Sequence, residues 1–441
     1  FHPSGPRAIG ESHGVNRPPS FPAGRRELWA WCFYDFANSS FSTLIVTVAY
    51  SVYFIQVAAA DVSPPGMAER LWFWGYALSM LVVAMVSPVL GALADIRAIK
   101  RRVLIASTLL CVAGTACLWF VHRGDVMLGL LIFGMANIGF DLGFVFCSAF
   151  LVELVPPQQM GRLSGYGWGF GYVGGLLSLA LAYPFISGGF AEANLGAYRM
   201  SFVVTAGFFL VAALPTFVYL QERAWPRALS PGLAVWRAVK AQLFDTAGRL
   251  SSYRDLRRYF IAYLLYSDAI NTVIVASGIF ANKVLDFTPG DLIIYFLVTQ
   301  ITAGLGSVGF GFVADRIGAV RSITITLLLW IAVVIGAAAV QTHQQFYLLG
   351  LVAGAALGAN QSVSRTLLGR FTPLGRQGEF FGFFSVAGKF AAILGPVVYG
   401  EVTAWTGSQR WAVLSMAVFF LVGLAVFLGV DERRGMAAAQ E

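Results

Sequence analysis

Charge is scarce in this 441-residue chain: Asp, Glu, Lys and Arg make up 12% of it, against roughly a quarter in ordinary soluble domains. So few charges cannot cover a water-soluble globule, which excludes a soluble enzyme or binding domain. Cysteine and histidine are scarcer still, four of each. Cys32, Cys111, Cys117 and Cys147 fall in apolar stretches with neither pair nor ligand spacing, and are read as small buried apolar residues, not disulfides or a metal site. His2, His13, His122 and His343 fall in the tail and outer loops. No nucleophile–base or metal-ligand spacing occurs in an apolar stretch, so neither catalysis nor a cofactor is expected. The first 24 residues, rich in Pro, Gly and Ser, lack the apolar core of a signal peptide and read as a disordered cytoplasmic tail.

The chain is instead 58% hydrophobic, with apolar runs long enough to cross a bilayer from end to end. Windows bounded by charge, Gly or Pro give twelve spans, beginning near residues 29, 71, 103, 126, 164, 200, 259, 291, 321, 346, 381 and 411. A polar insert, Gln221 to Arg258, separates the sixth from the seventh. The expected organisation is a tail (1–28), a six-helix half (29–220), a linker (221–258), a second six-helix half (259–430) and a tail (431–441). In the linker, residues 233–244 alternate apolar and basic positions at helical spacing, which predicts an amphipathic helix lying on the membrane surface.

The net charge of +8 would suggest nucleic acid in a soluble protein, but here its location matters more than its sum. Arg70, Arg123, Arg199, Lys283 and Arg410 fall in loops on one side, and Arg365 and Lys389 within spans. All other Lys and Arg lie on the side of the termini and the insert. The positive-inside rule then places both termini in the cytoplasm of a bacterial inner-membrane protein.

The halves repeat one another. Asp35-Phe-Ala-Asn38 answers Asp268-Ala-Ile-Asn271, and Gly91 to Asp95 answers Gly311 to Asp315. Pro156, Gly161, Gly165 and Gly171 recur as Pro373, Gly378, Gly382 and Gly388. An all-α integral membrane fold of twelve helices in two parallel six-helix repeats, the major facilitator architecture, follows. Asp268 lies about ten residues past Arg258, roughly 15 Å deep, where a carboxylate requires a polar cavity or a partner. Lys389 lies at similar depth in the same half, and the two are expected to be coupled.

Three stretches carry a family resemblance: residues 29–41 (WAWCFYDFANSSF), Leu264 to Thr272, and Asn360 through Gly378-Glu-Phe-Phe-Gly-Phe-Phe-Ser-Val-Ala-Gly-Lys-Phe390 to Gly395-Pro396. They resemble the vacuolar-effluxer family of the major facilitator superfamily, whose fungal members export amino acids from the vacuole and whose bacterial branch has no known substrate. The Gly-rich run 161–175 is similar to the same family. The segments ending at Asp95 and Asp315 resemble the superfamily's signature loop, with Ala98 and Ile99 in place of the usual Gly and Arg. That implies gating roles for Asp95, Lys100, Arg101, Arg102, Asp315 and Arg316, the aspartates pairing with basic residues to lock the halves. The superfamily's first and fourth helices of each half line a central cavity. The resemblance thus gathers Asp35, Asn38, Asn137, Asp141, Asp268, Asn271, Asn360, Gln361 and Arg365, with Lys389 of the eleventh helix, as substrate- or proton-binding groups. Arg365, five residues from Arg370, allows a second reading, an anchor reaching the headgroups. Trp29, Trp31, Phe33 and Tyr34 read as an interfacial belt, and glycines 165, 167, 169, 171, 174 and 175 as a close-packing face.

Acids and bases together offer partners to both ends of a zwitterion. The expected activity is alternating-access secondary transport of amino acids or similar small metabolites, exported or exchanged with protons, by a single chain in the bilayer without nucleic acid. Efflux of amphipathic drugs or lipids is the rival; a transport-dead receptor or scaffold is the rival from another class.

Overall fold

The computed structural model describes residues 23–64, 66–224, 226, 233–249, 253–391 and 394–440. Among them are twelve helices long and apolar enough to cross a membrane, and no strand. In order they are α1 (Arg25–Ala58), α2 (Met67–Arg97), α3 (Lys100–Phe120), α4 (Val126–Leu154), α5 (Pro157–Ile186) and α6 (Glu192–Tyr219). After the insert come α7 (Arg254–Leu285), α8 (Gly290–Ile317), α9 (Ala319–Ala339), α10 (His343–Phe371), α11 (Gln377–Thr406) and α12 (Gln409–Phe427). The helices run past the apolar windows into polar first turns, so α6 begins at Glu192 where the sequence suggested about 200. Capping boxes start two of them, Thr288 with Asp291 at α8 and Thr342 with Gln345 at α10.

Two spans are irregular beside the centre. After Ser40, α1 widens into π-helical turns at Phe41–Val48 and Phe54–Ala58, a feature that often marks a functional stretch. In α11 one helical segment ends at Phe390 and the next begins at Leu394.

Termini and insert meet on one face of the bundle, here called the terminal face. Glu27 pairs with Arg223 at 2.6 Å, and Asp255 with Arg434 at 2.5 Å. The segment expected as a C-terminal tail is a short helix, Glu432–Ala438, whose Glu432 takes Arg370 at 2.5 Å and the Val320 N–H at 3.0 Å. The insert does form the expected helix, Leu233–Arg249. Part of its apolar surface is turned to protein: Val235 and Val239 are buried against Ala92 and Ile96 of α2, while Trp236 and Phe244 stay exposed. The expected N-terminal tail lies mostly outside the described residues.

Candidate functional site: a charged cavity between the halves

The two halves meet along α2–α11 and α5–α8, and glycine sets how close they come. A Cβ on Gly91 would stand 2.2 Å from the Gly378 carbonyl oxygen, and one on Gly161 2.5 Å from that of Gly311. No side chain fits between these backbones, so Gly161, Gly165, Gly378 and Gly382 of the repeat read in the sequence form the interface, whereas Gly171 and Gly388 face residues of their own halves.

The aspartates at the same level seal the terminal face, though not as expected. Asp95 accepts the Gly378 and Glu379 N–H groups, both at 3.0 Å. Asp315 accepts those of Gly161 at 2.9 Å and Arg162 at 3.0 Å. Each carboxylate thus caps the first turn of a helix in the other half, where unsatisfied N–H groups and the helix dipole offer partial positive charge. Pairing with basic residues is secondary. Arg162 Nε and Arg370 Nη2 reach Asp315, both at 3.1 Å. Buried Lys100 stands 3.8 Å from Asp95, but bonds Glu153 and, at 3.3 Å, Gln377. Arg101 donates to the Phe217 carbonyl and, from its N–H, to Glu222 at 2.9 Å. Burial pushes the Glu222 carboxyl above its ordinary value, while Lys100 and the Arg101 N–H pull it back. Arg102 and Arg316 are exposed and, among the described residues, take no part in these contacts.

Above this seal lies a cavity of about 410 Å³ lined from α1, α4 and α5 of one half and α7, α10 and α11 of the other. It gathers Asp35, Asn38, Asp141, Asn271, Asn360, Gln361, Arg365 and Lys389 of the sequence-predicted set. Among the described residues, every side-chain hydrogen bond between the halves lies at or on the terminal side of the Tyr172–Gln361 contact (2.5 Å), so the cavity opens toward the opposite face.

Arg365 is 2% exposed, which overturns the headgroup reading. Its Nη1 lies 2.8 Å from Asp35 of the other half, and its Nε and Nη2 donate to the Ser164 hydroxyl and carbonyl, both at 3.0 Å. The guanidinium also lies over Trp31 (4.7 Å) and Trp168 (5.5 Å), a cation–π arrangement that partly replaces lost hydration. Trp31 Nε1 donates to the Cys147 carbonyl at 2.7 Å and Tyr34 bonds Thr108 at 3.0 Å. Both rings are fully buried, so neither belongs to an interfacial belt; Trp29, 46% exposed, still fits one.

Lys389 does not pair with Asp268. Its Nζ is 2.5 Å from Asp141 of the other half. Asn137, expected in the cavity, stands behind Asp141, donating to Ser79 at 2.9 Å and Asp141 at 3.5 Å. Asp268 is fully buried outside the cavity lining and accepts the Gly395 N–H at 2.8 Å, while Asn271 donates to the Ala391 carbonyl at 2.8 Å. The Asp-x-x-Asn pair of α7 thus serves backbone groups that the interruption of α11 leaves without helical partners. Asp268→Ala would strand a buried N–H and is expected to cost about 1–3 kcal/mol, Asp268→Asn clearly less because it keeps a carbonyl oxygen there. Thermal unfolding in detergent checks this: equal losses in Tm would remove the clamp assignment.

Sequence reasoning missed Ser148 and Trp168, which line the cavity, and Ser164 and Tyr172, which bond the lining residues Arg365 and Gln361. Ser164, Trp168 and Tyr172 sit in the glycine-rich helix, where packing was the stronger signal. Among the described residues, Asn38 Oδ1, Ser148 Oγ and Trp168 Nε1 of the lining have no hydrogen-bond partner, while the Asp35 carboxylate has only the Arg365 guanidinium beside it.

A family profile described as "Vacuole effluxer Atg22 like" matches residues 71–440. The chain belongs to this family. The Bacillus subtilis relative named uncharacterized MFS-type transporter YxiO is 28% identical over 418 residues, covering 93% of this chain and 96% of its own. Autophagy-related protein 22 of Kluyveromyces lactis is 28% identical over 213 residues, 45% of this chain and 43% of its own. Against its fungal relatives the chain thus spans about half of their length. Among solved structures, the human organic anion transporter MFSD10 superposes with a TM-score of 0.71 at 14% identity, covering 92% of this chain and all of that one. FucP in its outward conformation gives 0.69 at 16% identity, covering 92% and 98%. This Atg22-like protein has the major facilitator fold and is a transporter of that type.

Proposed function

We propose that this Atg22-like transporter moves a small zwitterion, an amino acid or similar metabolite, by alternating access, with protons as the coupling ion and export or exchange as the mode. The observation that carries the reading is how charge is divided across the cavity: both acids, Asp35 and Asp141, come from the first half, and both bases, Arg365 and Lys389, from the second. A zwitterion would turn its ammonium toward the first half and its carboxylate toward the second. It would then replace the protein's own ion pairs, so that binding loosens the pairs that hold the halves together. Charge placement in the loops supports a cytoplasmic terminal face and hence a cavity open to the outside of a bacterial inner membrane.

Uptake of labelled amino acids into proteoliposomes, with and without an imposed pH gradient, tests this against Asp141→Asn. Accumulation that depends on the gradient and is lost in the variant is the expected result. Exchange that ignores both would remove proton coupling through Asp141. The rings of Phe140, Phe144, Phe381 and Phe384 on the same lining support a second reading, amphipathic drugs or lipids. Competition by hydrophobic cations but not by amino acids would establish that instead.

A further inference from the structure

The linker helix Leu233–Arg249 has two faces, one packed on protein and one exposed among the described residues. Val235 and Val239 are buried against Ala92 and Ile96, with Val89 and Leu93 closing the contact. Those four residues occupy the last turns of α2 before Arg97, so the linker helix lies alongside a membrane-crossing helix within about 12 Å of its end, at headgroup depth. The other face carries Trp236 and Phe244, 54% and 76% exposed, with Arg237 and Lys240 exposed between them. Trp236, Lys240 and Phe244 follow at four-residue spacing, one stripe along the helix. Rings at this depth suit the upper acyl region, and the neighbouring cations reach phosphate groups.

We propose that this stripe binds the headgroups of anionic phospholipids and thereby tightens the seal on the terminal face. The same helix is tied to the other half of the protein. Gln242 donates to Glu379 at 2.7 Å, and Arg376 donates to Thr246 at 2.9 Å and pairs with Asp245 at 2.7 Å. Glu379 supplies one of the two N–H groups that Asp95 caps. The linker helix is therefore a strap from α2 to the start of α11, across the joint that must part when the terminal face opens. Anionic lipid drawn to Arg237 and Lys240 holds the strap in place. A soluble acidic partner would satisfy the two cations, but it leaves Trp236 and Phe244 without an apolar medium.

The inference rests on the fold and not on the transport reading, and its test needs no substrate. The full-length protein is placed in nanodiscs of phosphatidylcholine, alone or with phosphatidylglycerol, and hydrogen–deuterium exchange is followed on peptides covering 233–249 and 377–390. Phosphatidylglycerol is expected to slow exchange in both peptides, by about fivefold for each cation engaged. Arg237→Gln with Lys240→Gln should abolish that response while leaving exchange in phosphatidylcholine unchanged. Identical exchange in the two lipids, or a double variant that responds as the wild type does, would overturn the proposal. So would protection confined to 233–249, since the seal would then not feel the lipid. Protection by added polyglutamate in phosphatidylcholine, without a phosphatidylglycerol effect, would reassign the stripe to an acidic protein.

Discussion

Replacing Arg365 by methionine is expected to lower stability by about 3–5 kcal/mol, because it leaves the Asp35 carboxylate buried without its countercharge. Asp35 is 4% exposed, and the Arg365 guanidinium 2.8 Å away is the charged group at its carboxylate. The aromatic rings around position 365 cannot substitute, since their faces attract cations and not carboxylates. The double variant Arg365→Met with Asp35→Asn removes both charges and should regain most of the loss, yet remain inactive in the uptake assay. Thermal unfolding in detergent reads the first effect and proteoliposome uptake the second. A double variant that transports like wild type would show the pair to be structural only; a single variant as stable as wild type would mean that Asp35 is already neutral.

Gly91→Ala is expected to open the terminal face. The added methyl group would meet three backbone atoms, the Gly378 oxygen and carbon at 2.2 and 2.3 Å and the Glu379 nitrogen at 2.7 Å, none of which can turn aside as a side chain could. Overpacking of this kind costs about 1–3 kcal/mol, and here it is borne only by the state in which the halves touch. That state should therefore fall in population by roughly fivefold to a hundredfold relative to the alternative. Spin labels at positions 102 and 316, exposed on opposite halves, would report the change as a longer distance. An unchanged distance distribution would mean that α2 and α11 can shift along one another without parting.

The spans, the division into halves and the glycine interface were legible because each is dictated by a strong local requirement: a bilayer demands long apolar helices, and a helix crossing at backbone contact demands glycine. Rise per residue also assigns each charged group a level along its helix. What depth does not give is the direction in which a side chain points. Asp268 and Lys389 share a level but face different neighbours, and Lys389 finds Asp141 in the other half. The duplicated Asp-x-x-Asn motif likewise hid two employments. Asp35 stands in the cavity against Arg365, whereas Asp268 serves the interrupted backbone of α11. A signal for that interruption was present in Gly395-Pro396, a pair that suits the first turn of a new helix better than the middle of an old one. Arg365 was ambiguous because a long side chain near a helix end can reach either way, and only the rings of Trp31 and Trp168 decide for the interior.

The reciprocal capping by Asp95 and Asp315 bears on how leakproof the seal can be. Each aspartate belongs to one half and grips a helix start in the other, on the two separate seams α2–α11 and α5–α8. If losing either grip costs about 1.5 kcal/mol, each is absent roughly a tenth of the time, and both together only about a hundredth. The surviving grip meanwhile keeps its seam in register, so that a momentary lapse is repaired before the membrane becomes permeable. A passage with a single latch of the same strength would be tenfold leakier, which is a concrete benefit of repeating the same capping aspartate in both halves.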